Sequence, residues 1–301
     1  MKLLWTREDD TKSGFYRPLY YHALKAGLDA QGNLVAWQHR IVGQSILAGT
    51  AFEKMLVKNG VDATSVEGAS TLPYAIPNLH VDLHSPKLGV PVLWWRSVGS
   101  THTAFSTETF LDEIARASGK DPYELRRALL AGHPRHKAVL ELAAQTAGWG
   151  KPLPKGRARG IAVHESFNTY VAQVVEVSQR TDGFHIERVV CAVDCGVAVN
   201  PHIIAMQMES GIGFGLSAAL TGAITLKDGV VEQSSYADYP VVRINEMPKV
   251  EVHIVRSAEK PTGVGEPGTP VIAPALVNAL YALTGTPVHA LPLSAQGIRF
   301  T

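Results

Sequence analysis

The alternation of apolar and polar residues divides the chain into two groups of predicted strands. Residues 20–42 predict a hairpin, with strands over 20–28 and 34–42 joined by the turn Asp29-Ala30-Gln31-Gly32-Asn33. Residues 78–84 alternate strictly, which predicts a half-exposed strand. After residue 156 the signal recurs and predicts strands over 159–167, 170–179, 184–194 and 249–255, with a short hairpin at 226–230.

Helical spacing of apolar residues is concentrated between these two groups and near the end of the chain. It predicts helices over 104–118, 121–130, 137–147 and 202–220, a short helix near 52–57, and an apolar helix directly after Pro270. Asp121-Pro122-Tyr123-Glu124 predicts a capping box with proline at the first helical position. Residues 91–95 predict a short apolar strand that breaks into a loop of small residues.

Composition bounds the fold that these elements can form. The chain has 301 residues, of which 46% are hydrophobic, so it can bury a sizeable core. Lys151-Pro152-Leu153-Pro154-Lys155-Gly156 is the segment most typical of a linker, which predicts a domain boundary there. The predicted class is α+β, with two subdomains, residues 1–150 and 151–301, each a mixed β-sheet with packed helices.

Charge and hydropathy narrow the possible partners. The formal net charge is +1 and the chain has no block of Lys or Arg, so neither nucleic acid nor an anionic membrane is an expected partner. No apolar run is expected to approach the roughly 18 residues that a membrane span needs. Met1-Lys2-Leu3-Leu4 leads directly into polar residues, so no signal peptide is predicted. The compartment stays unknown, with the cytoplasm as the default and the periplasm open.

Two groups of possible metal ligands have simpler explanations. Cys191 and Cys195 lie four residues apart in an apolar run, too far apart on a strand to bond comfortably. Buried thiols are therefore favoured over a disulfide or a metal site. His80, Asp82 and His84 would share one face of a strand, where a solvated face is favoured over a metal trio. No metal ligand is predicted.

The candidate chemistry is concentrated in a loop rich in glycine and proline, residues 263–270, which contains one carboxylate, Glu266. No Lys or Arg lies within five residues of Glu266, and an apolar helix follows. Glycines let a backbone approach a ligand closely, and a carboxylate held away from cations would have a raised pKa and could act as a general base. A tight turn before a helix, with Glu266 in the first turn, explains the same residues equally well.

Two further patterns permit both a structural and a functional explanation. Arg96 follows two tryptophans at a predicted strand end, where it could clamp an anion or lay its stem beside the rings. Gly211, Gly213 and Gly215 fall within five residues of a predicted helix, although an interior glycine costs about 1 kcal/mol relative to alanine. Such a cost indicates close approach of another backbone or of a bulky ligand.

Family-like segments occur in order along essentially the whole chain. They are Trp5-Thr6-Arg7-Glu8-Asp9-Asp10 with Phe15-Tyr16-Arg17-Pro18, Trp95-Arg96-Ser97-Val98-Gly99, Gly160-Ile161-Ala162-Val163-His164-Glu165-Ser166-Phe167, Val193-Asp194-Cys195-Gly196 with Asn200-Pro201, Gln207-Met208-Glu209-Ser210-Gly211, and the loop from Gly263 to Pro274. Together they resemble the large subunits of molybdenum hydroxylases, the xanthine dehydrogenase and aldehyde oxidase superfamily, and among these the isoquinoline 1-oxidoreductase beta subunits.

The resemblance implies a molybdenum–molybdopterin cofactor, expected in its cytosine dinucleotide form, and roles for individual residues. In this superfamily the glutamate of the last Gly-Glu loop is the base that deprotonates a hydroxyl ligand of molybdenum, and Glu266, preceded by Gly265, falls on that position. Gln207 matches the glutamine that hydrogen-bonds the pterin. The loop lining the cofactor is matched by Arg96, Ser97 and Gly99, with Val98 in the substrate pocket.

The chain also departs from the family pattern. Many relatives carry phenylalanine where this chain has Val98 and glutamine where it has His102. Segments of Gly-Gln-Gly and Thr-Gly-Gly-Ser type, and a glycine-rich loop with arginines, hold the cofactor in the resembling subfamily and do not occur here. A four-cysteine iron–sulfur motif and a flavin-binding sequence are also absent, so electrons are expected to leave through iron–sulfur clusters on a partner chain.

The resemblance therefore implies the C-terminal half of a molybdenum hydroxylase catalytic subunit that oxidises an aldehyde or an N-heterocycle with water as the oxygen donor. The expected partners are an iron–sulfur alpha subunit, the missing N-terminal half of the molybdenum subunit, and a small aromatic or aldehyde substrate. The alternatives are a truncated, non-catalytic remnant that serves as a structural or interaction module, and an unrelated binding module whose glycine loop holds an anion.

Overall fold

The structure, a computed structural model, describes residues 1–301 and is built on two main β-sheets with helices packed against them. The strands are β1 (Tyr20–Leu28), β2 (Leu34–Gly43), β3 (Val57–Lys58), β4 (Val61–Asp62), β5 (Asn78–His84), β6 (Arg157–Ser166), β7 (Thr169–Arg180), β8 (Gly183–Asp194), β9 (Leu226–Lys227), β10 (Val230–Val231) and β11 (Lys249–Ile254). The α-helices are α1 (Arg7–Ser13), α2 (Glu53–Leu56), α3 (Ser100–Ala117), α4 (Pro122–Leu129), α5 (Pro134–Ala147), α6 (Pro201–Leu220) and α7 (Ile272–Thr284).

The first sheet has the strand order β1-β2-β5 and is mixed, because β1 and β2 are antiparallel whereas β2 and β5 are parallel. The predicted hairpin is confirmed. Its turn is held by Asp29, whose carboxylate accepts the backbone N–H groups of Gln31 and Asn33 at 2.9 and 2.8 Å. Along β5, Asp82 forms an ion pair with Arg40 at 2.7 Å, as expected of a solvated face.

The second sheet has the order β11-β8-β7-β6 and is also mixed, since only β11 runs parallel to its neighbour. Side chains alternate across its two faces, as the pleat of a strand requires. Val171 and Val175 of β7 lie in a first core with α6 and α7, whereas Ala172 and Val174 lie in a second core with α3, α4 and α5. The predicted fold class, α+β with mixed sheets and packed helices, is confirmed.

The second core joins residues from both predicted subdomains. It contains Trp37 of β2, Leu140 of α5 and Val190 of β8. Helix α5 packs on β7 and β8 although it precedes the predicted linker at 151–156. The two parts of the chain thus share hydrophobic packing, and the division at residue 151 stays a prediction.

Helix α1 and the short strands β3 and β4 were not predicted from the sequence. Two of the predicted features also differ from the structure. Residues 91–95 form only an isolated bridge through Val92 instead of a strand. Asp121 caps α4, as predicted, by accepting backbone N–H groups from the first turn. The capping box is incomplete, because the carboxylate of Glu124 accepts a hydrogen bond from Arg127 instead.

Helix α6 is long and apolar enough, by length and composition alone, to cross a membrane. Its apolar residues are interrupted by Gln207, Glu209 and Ser210, so the helix meets the test on its mean hydropathy and not as one continuous apolar run. In the structure one face of α6 packs into the first core through Met208, Ile212 and Leu216, which are fully buried, while Glu209 is exposed. One face of α6 therefore belongs to the first core, whereas Ile203, Met206 and Phe214 are exposed.

Both cysteines are free and buried, as predicted. Burial raises the pKa of the Cys191 thiol to about 12 and also raises that of Cys195. Neither side chain is therefore a thiolate at neutral pH, and both act as small apolar residues of the first core.

Two of the three glycines in α6 allow a backbone to approach closely. A Cβ at Gly211 would lie 3.0 Å from the backbone carbon of Gly268, and one at Gly215 would lie 2.8 Å from the carbonyl oxygen of Thr269. At Gly213 a Cβ would meet only the flexible end of Met247, at 3.3 Å. The close approach expected of all three glycines thus holds for two, and the backbone that they admit is the loop after Glu266.

Replacing Gly215 with alanine is expected to lower the free energy of unfolding by about 1–3 kcal/mol, the range for overpacking a core. The added methyl group would lie 2.5 Å from the Ile272 side chain and 2.8 Å from the carbonyl oxygen of Thr269, so both must move. The same change at Gly213 is expected to be neutral or slightly stabilising, because alanine favours helix. Urea denaturation of both variants measures the difference, and equal stabilities would contradict the packing explanation.

A buried charge network connects the helices to the second sheet. Arg126 of α4 is fully buried and pairs with Glu108 and Asp112 of α3 at 2.8 and 2.7 Å. Glu108 also accepts the backbone N–H of Val163 in β6 at 3.0 Å, and its carbonyl accepts from the Asn278 side chain of α7 at 3.2 Å. Burial opposes the charge on Arg126, but the two carboxylates raise its pKa overall. The network fixes α7, the helix that follows Glu266.

Candidate cofactor and active site

Glu266 lies in a loop that is fastened to the second sheet on one side and to α7 on the other. Its carbonyl accepts the backbone N–H of Thr269 at 2.9 Å, which closes a turn just before α7. The buried amide of Gln173 in β7 donates to the carbonyl of Gly268 at 2.9 Å, and Thr169 donates to that of Gly263 at 2.7 Å. Side chains of one strand therefore hold both ends of the loop, which leaves Glu266 in a defined place.

The segment from Arg96 to Gly99 meets this loop with an unusual backbone. Ser97 and Val98 both have positive φ angles, 72° and 46°, which non-glycine residues rarely adopt. The turn directs the backbone N–H of Ser97 to Glu266 Oε1 at 3.1 Å, and the Ser97 hydroxyl donates to the Glu266 carbonyl at 2.7 Å. Ser97 thus orients both the carboxylate and the main chain of Glu266, and Glu266 Oε2 makes no hydrogen bond within the chain.

Arg96 connects the loop to α6. Its guanidinium donates to the carbonyl of Gly265, with Nε at 2.7 Å, to the Ser210 hydroxyl at 3.1 Å and to Gln207 Oε1 at 3.2 Å. It therefore braces the protein's own loop rather than lying along the two tryptophans. The expectation that no cation lies near Glu266 is wrong, because the fold places the Arg96 guanidinium close to its carboxylate. Burial lowers the pKa of Arg96, and the charge of Glu266 partly opposes this change.

Gln207, Gly263 and Gly265 leave one edge of the site around Glu266 open. Because Gln207 Oε1 accepts from Arg96, its amide nitrogen remains as a donor that makes no hydrogen bond within the chain. No protein atom lies within 4 Å of where a Cβ would stand at Gly263 or Gly265. Gly99 is different: a Cβ there would meet the Thr64 carbonyl oxygen at 1.7 Å, so Gly99 permits backbone packing on the protein's own chain.

A second carboxylate, Glu67, lies on the other side of the strained turn. Its Oε2 accepts the backbone N–H of Gly99 at 3.1 Å. Burial, with a smaller effect of the charges on Asp62 and Glu266, raises the pKa of Glu67 to about 7, although bonds from backbone N–H groups at Gly99 and Ser100 oppose the rise. Sequence reading missed Glu67, whose only signal is an isolated carboxylate between Val66 and Gly68.

The residues present fit one edge of an oxygen-rich cofactor. The free amide nitrogen of Gln207 and the open backbone at Gly265 supply donors and room, and both lie next to the oriented carboxylate of Glu266. Arg96 makes the edge rigid but gives its own donors to the protein. This set can bind, orient and exchange a proton with a polar group placed against it.

Comparison with known proteins identifies the family. Residues 1–130 and 127–248 each match a model described as a molybdopterin cofactor-binding domain. The chain is 31% identical to the beta subunit of isoquinoline 1-oxidoreductase from Brevundimonas diminuta, over 97% of this chain and 38% of that protein. It is 27% identical to one of the subunits of nicotinate dehydrogenase from Pseudomonas putida, over 92% of this chain and 25% of that protein.

Solved structures share the fold at low sequence identity. Quinoline 2-oxidoreductase of Pseudomonas putida 86 superimposes with a TM-score of 0.75 at 12% identity, over 96% of this chain and 63% of that chain. The Cu,Mo-CO dehydrogenase gives a TM-score of 0.76 at 10% identity, over 94% and 61%.

Helices pack on both faces of the second sheet, and the family models describe residues 1–248 as molybdopterin cofactor-binding domains. The chain belongs to the molybdenum hydroxylases of the xanthine dehydrogenase and aldehyde oxidase superfamily, and its residues 1–248 match their molybdopterin cofactor-binding domains. It spans 38% and 25% of the length of the two curated relatives described above. The resemblance seen in the sequence is confirmed, whereas the roles of the individual site residues stay predictions.

Proposed function

We propose that this chain forms the glutamate-bearing side of a molybdenum hydroxylase active site, in which Glu266 is the general base. The substrate class is an aldehyde or an N-heterocycle, oxidised with water as the oxygen donor. One observation carries the proposal: Ser97 holds one carboxylate oxygen of Glu266 by a backbone N–H and leaves the other without a partner. A general base needs a fixed orientation and a free oxygen within reach of the proton that it accepts.

The other residues of the site bind and position. Gln207 offers its amide nitrogen as a donor to the cofactor, while its amide oxygen is held by Arg96. Gly265 lets the backbone approach the cofactor because no side chain stands there. When bound, the molybdopterin cofactor supplies the two-electron redox chemistry. Glu266 holds and releases the proton at its free Oε2.

Val98 is the proposed substrate contact. Its half-buried side chain stands on the strained turn between Ser97 and Gly99, next to the residue that orients Glu266. The strain is maintained from both sides, because Glu266 accepts from Ser97 and Glu67 accepts from Gly99. A rigid turn of this kind holds an aliphatic wall for a small aromatic or aldehyde substrate.

The remaining contacts to the cofactor are proposed to come from residues outside this sequence. A charged, dinucleotide-type cofactor, here proposed in the cytosine form, needs many donors around its phosphates, whereas Arg96 is already engaged by the protein. An iron–sulfur alpha subunit is the proposed electron acceptor. Both relatives described above are named as single subunits of larger enzymes, which supports a multi-subunit assembly.

Metal analysis tests this proposal directly. The 301-residue chain purified alone is expected to contain little or no molybdenum and to self-associate through its exposed apolar side chains. Co-production with the segment that carries the other cofactor-binding residues, and with an iron–sulfur partner chain, is expected to give close to one molybdenum per complex together with substrate oxidation. Stoichiometric molybdenum in the monodisperse chain alone would contradict the division of the site, and no molybdenum in either preparation would favour a structural module.

A further inference from the structure

Helix α3 begins without a side-chain cap from its own sequence. Gly99, the residue before its first turn, has no side chain to accept the free N–H groups there, and no acidic residue lies in that turn. Glu67, which lies between β4 and β5, takes this place. Its Oε2 accepts the backbone N–H of Gly99 at 3.1 Å, and its carboxylate also accepts that of Ser100. A carboxylate distant in sequence thus caps α3.

This cap and the candidate base hold opposite ends of one turn. The strained turn at residues 97–99 donates its first N–H, from Ser97, to Glu266 Oε1 at 3.1 Å and its last, from Gly99, to Glu67 Oε2. A backbone in such a conformation persists only where the surrounding contacts fix it. Loss of the bond at the Glu67 end therefore loosens the Ser97 end, where the base is oriented.

The backbone that carries Glu67 is itself held in place. The hydroxyl of Thr103 in α3 lies within hydrogen-bond distance of the carbonyls of Glu67 and Gly99. The next residue, Gly68, has a φ of 73°, and a Cβ there would lie 2.3 Å from a ring carbon of His164 in β6. The absence of a side chain at Gly68 therefore lets this loop pack on β6, which presents Glu67 to the turn from a fixed position.

The charges and the burial around Glu67 oppose its ionisation. Burial is the largest cause, and together with the charges of Asp62 and Glu266 it raises the pKa of Glu67 to about 7, against the N–H groups at the start of α3. Two other titratable groups near this loop are neutral near that pH. Burial raises the pKa of Tyr20 to about 12 and lowers that of His164 to about 4. Glu67 is therefore the group of this cluster that changes its charge near neutral pH.

We propose that Glu67 is a positioning residue for Glu266: its ionised carboxylate holds the turn from which Ser97 orients the base, and full turnover requires Glu67 to be ionised. The inference rests on the proposed function, because it takes Glu266 as the base. A hydrogen bond to an ionised carboxylate is roughly twice as strong as one between neutral groups. Protonated Glu67 therefore holds Gly99 less firmly, and the turn loses part of its fixed geometry.

The pH dependence of turnover tests the inference in the assembled, molybdenum-loaded complex. Turnover of wild type, per molybdenum, is expected to rise with pH through a midpoint of about 7. Glu67→Gln keeps the size of the side chain and an acceptor oxygen but cannot ionise. It is expected to lose this rise and to lower turnover at alkaline pH about tenfold, the effect of one weakened charge-assisted hydrogen bond.

Glu53→Gln is the matched control. Glu53 also accepts a backbone N–H, that of Gly49 at 2.7 Å, but it is exposed and has no contact with the strained turn. This variant should keep the turnover and the pH profile of wild type. If Glu67→Gln does not fold, Glu67→Asp serves in its place: it can ionise but is one methylene shorter, so it is expected to lose turnover because it no longer reaches Gly99.

A second readout needs neither cofactor nor activity. The pKa of Glu67 in the folded chain, about 7, lies above its ordinary value of 4.5, so the folded state binds this proton more tightly than the unfolded state. Wild type is therefore expected to lose stability relative to Glu67→Gln as the pH rises from about 5 to about 8. Melting temperatures of the full chain measure this difference, which should stay constant with pH for Glu53→Gln.

The two readouts together separate positioning from capping alone. Higher stability at alkaline pH with lower turnover in Glu67→Gln supports the inference, whereas a residue that only caps α3 would lose stability when changed. The inference is overturned if Glu67→Gln keeps the turnover and pH profile of wild type while Glu266→Gln is inactive, a result that leaves the proposed base in place. Full turnover in Glu266→Gln would instead overturn the proposed base and, with it, the role of Glu67.

Discussion

Replacing Glu266 with glutamine is expected to lower turnover of the assembled enzyme by at least the roughly 10²–10⁴-fold typical of a lost general base. Glutamine keeps the size of the side chain and can still accept the N–H of Ser97 through its amide oxygen. The change removes only the capacity of the free Oε2 to take up a proton. Steady-state turnover of an aldehyde or heterocycle, normalised to molybdenum content, measures the effect.

The molybdenum content of the Glu266→Gln enzyme is expected to remain near that of wild type, because the proposed base is not a metal ligand. Glu259→Gln is the matched control, since Glu259 is an exposed carboxylate seven positions earlier in the same stretch of the chain. That variant should retain full turnover. Undiminished activity in Glu266→Gln would refute the assignment of the base, whereas loss of both metal and activity would point to a structural role.

Replacing Arg126 with methionine is expected to lower the free energy of unfolding by about 3–5 kcal/mol, the usual effect of breaking a buried ion pair from one side. Glu108 and Asp112 would remain buried without their cation, and burial already raises the pKa of Asp112 to about 6. Since Glu108 also bonds β6 and α7, loosening of the Glu266 loop should accompany the loss. Thermal and urea unfolding measure the change.

Arg127 provides the control at the next position of α4. It is exposed and pairs with Glu124 and Glu141 at 3.2 and 2.8 Å. Exposed ion pairs contribute about 0–1 kcal/mol, so Arg127→Met should change stability by no more than that. Equal losses in the Arg126 and Arg127 variants would show that the buried network does not hold the core together.

Local pattern predicted most of the elements because short-range physics decides them. Period-two alternation located β5 and the three long strands of the second sheet, and apolar helical spacing located α3 to α6. Asp121 was recognised as a cap because the cap is a contact between close neighbours in sequence. The strand at 91–95 failed, since a strand needs a partner and only Val92 finds one.

The candidate site was predictable only in part. The glycine-rich loop marked Glu266, because isolation of a carboxylate among glycines and prolines is visible in the sequence. Its partners were not visible: Ser97 and Arg96 reach the Gly265–Glu266 segment across 169 positions of the chain. Glu67 was missed for the same reason, since its role depends on a contact with Gly99 that no local pattern encodes.

The sequence by itself determined most of the succession of strands and helices, the buried thiols, the glycine loop and the family, because these depend on residue type and spacing. Only the tertiary structure decided which two of the α6 glycines admit the loop, that Arg96 braces Gly265, and that Glu67 accepts from Gly99. The physical reason is that such contacts form between segments brought together by burial of the two cores. Residue spacing along the chain does not show which distant segments come into contact.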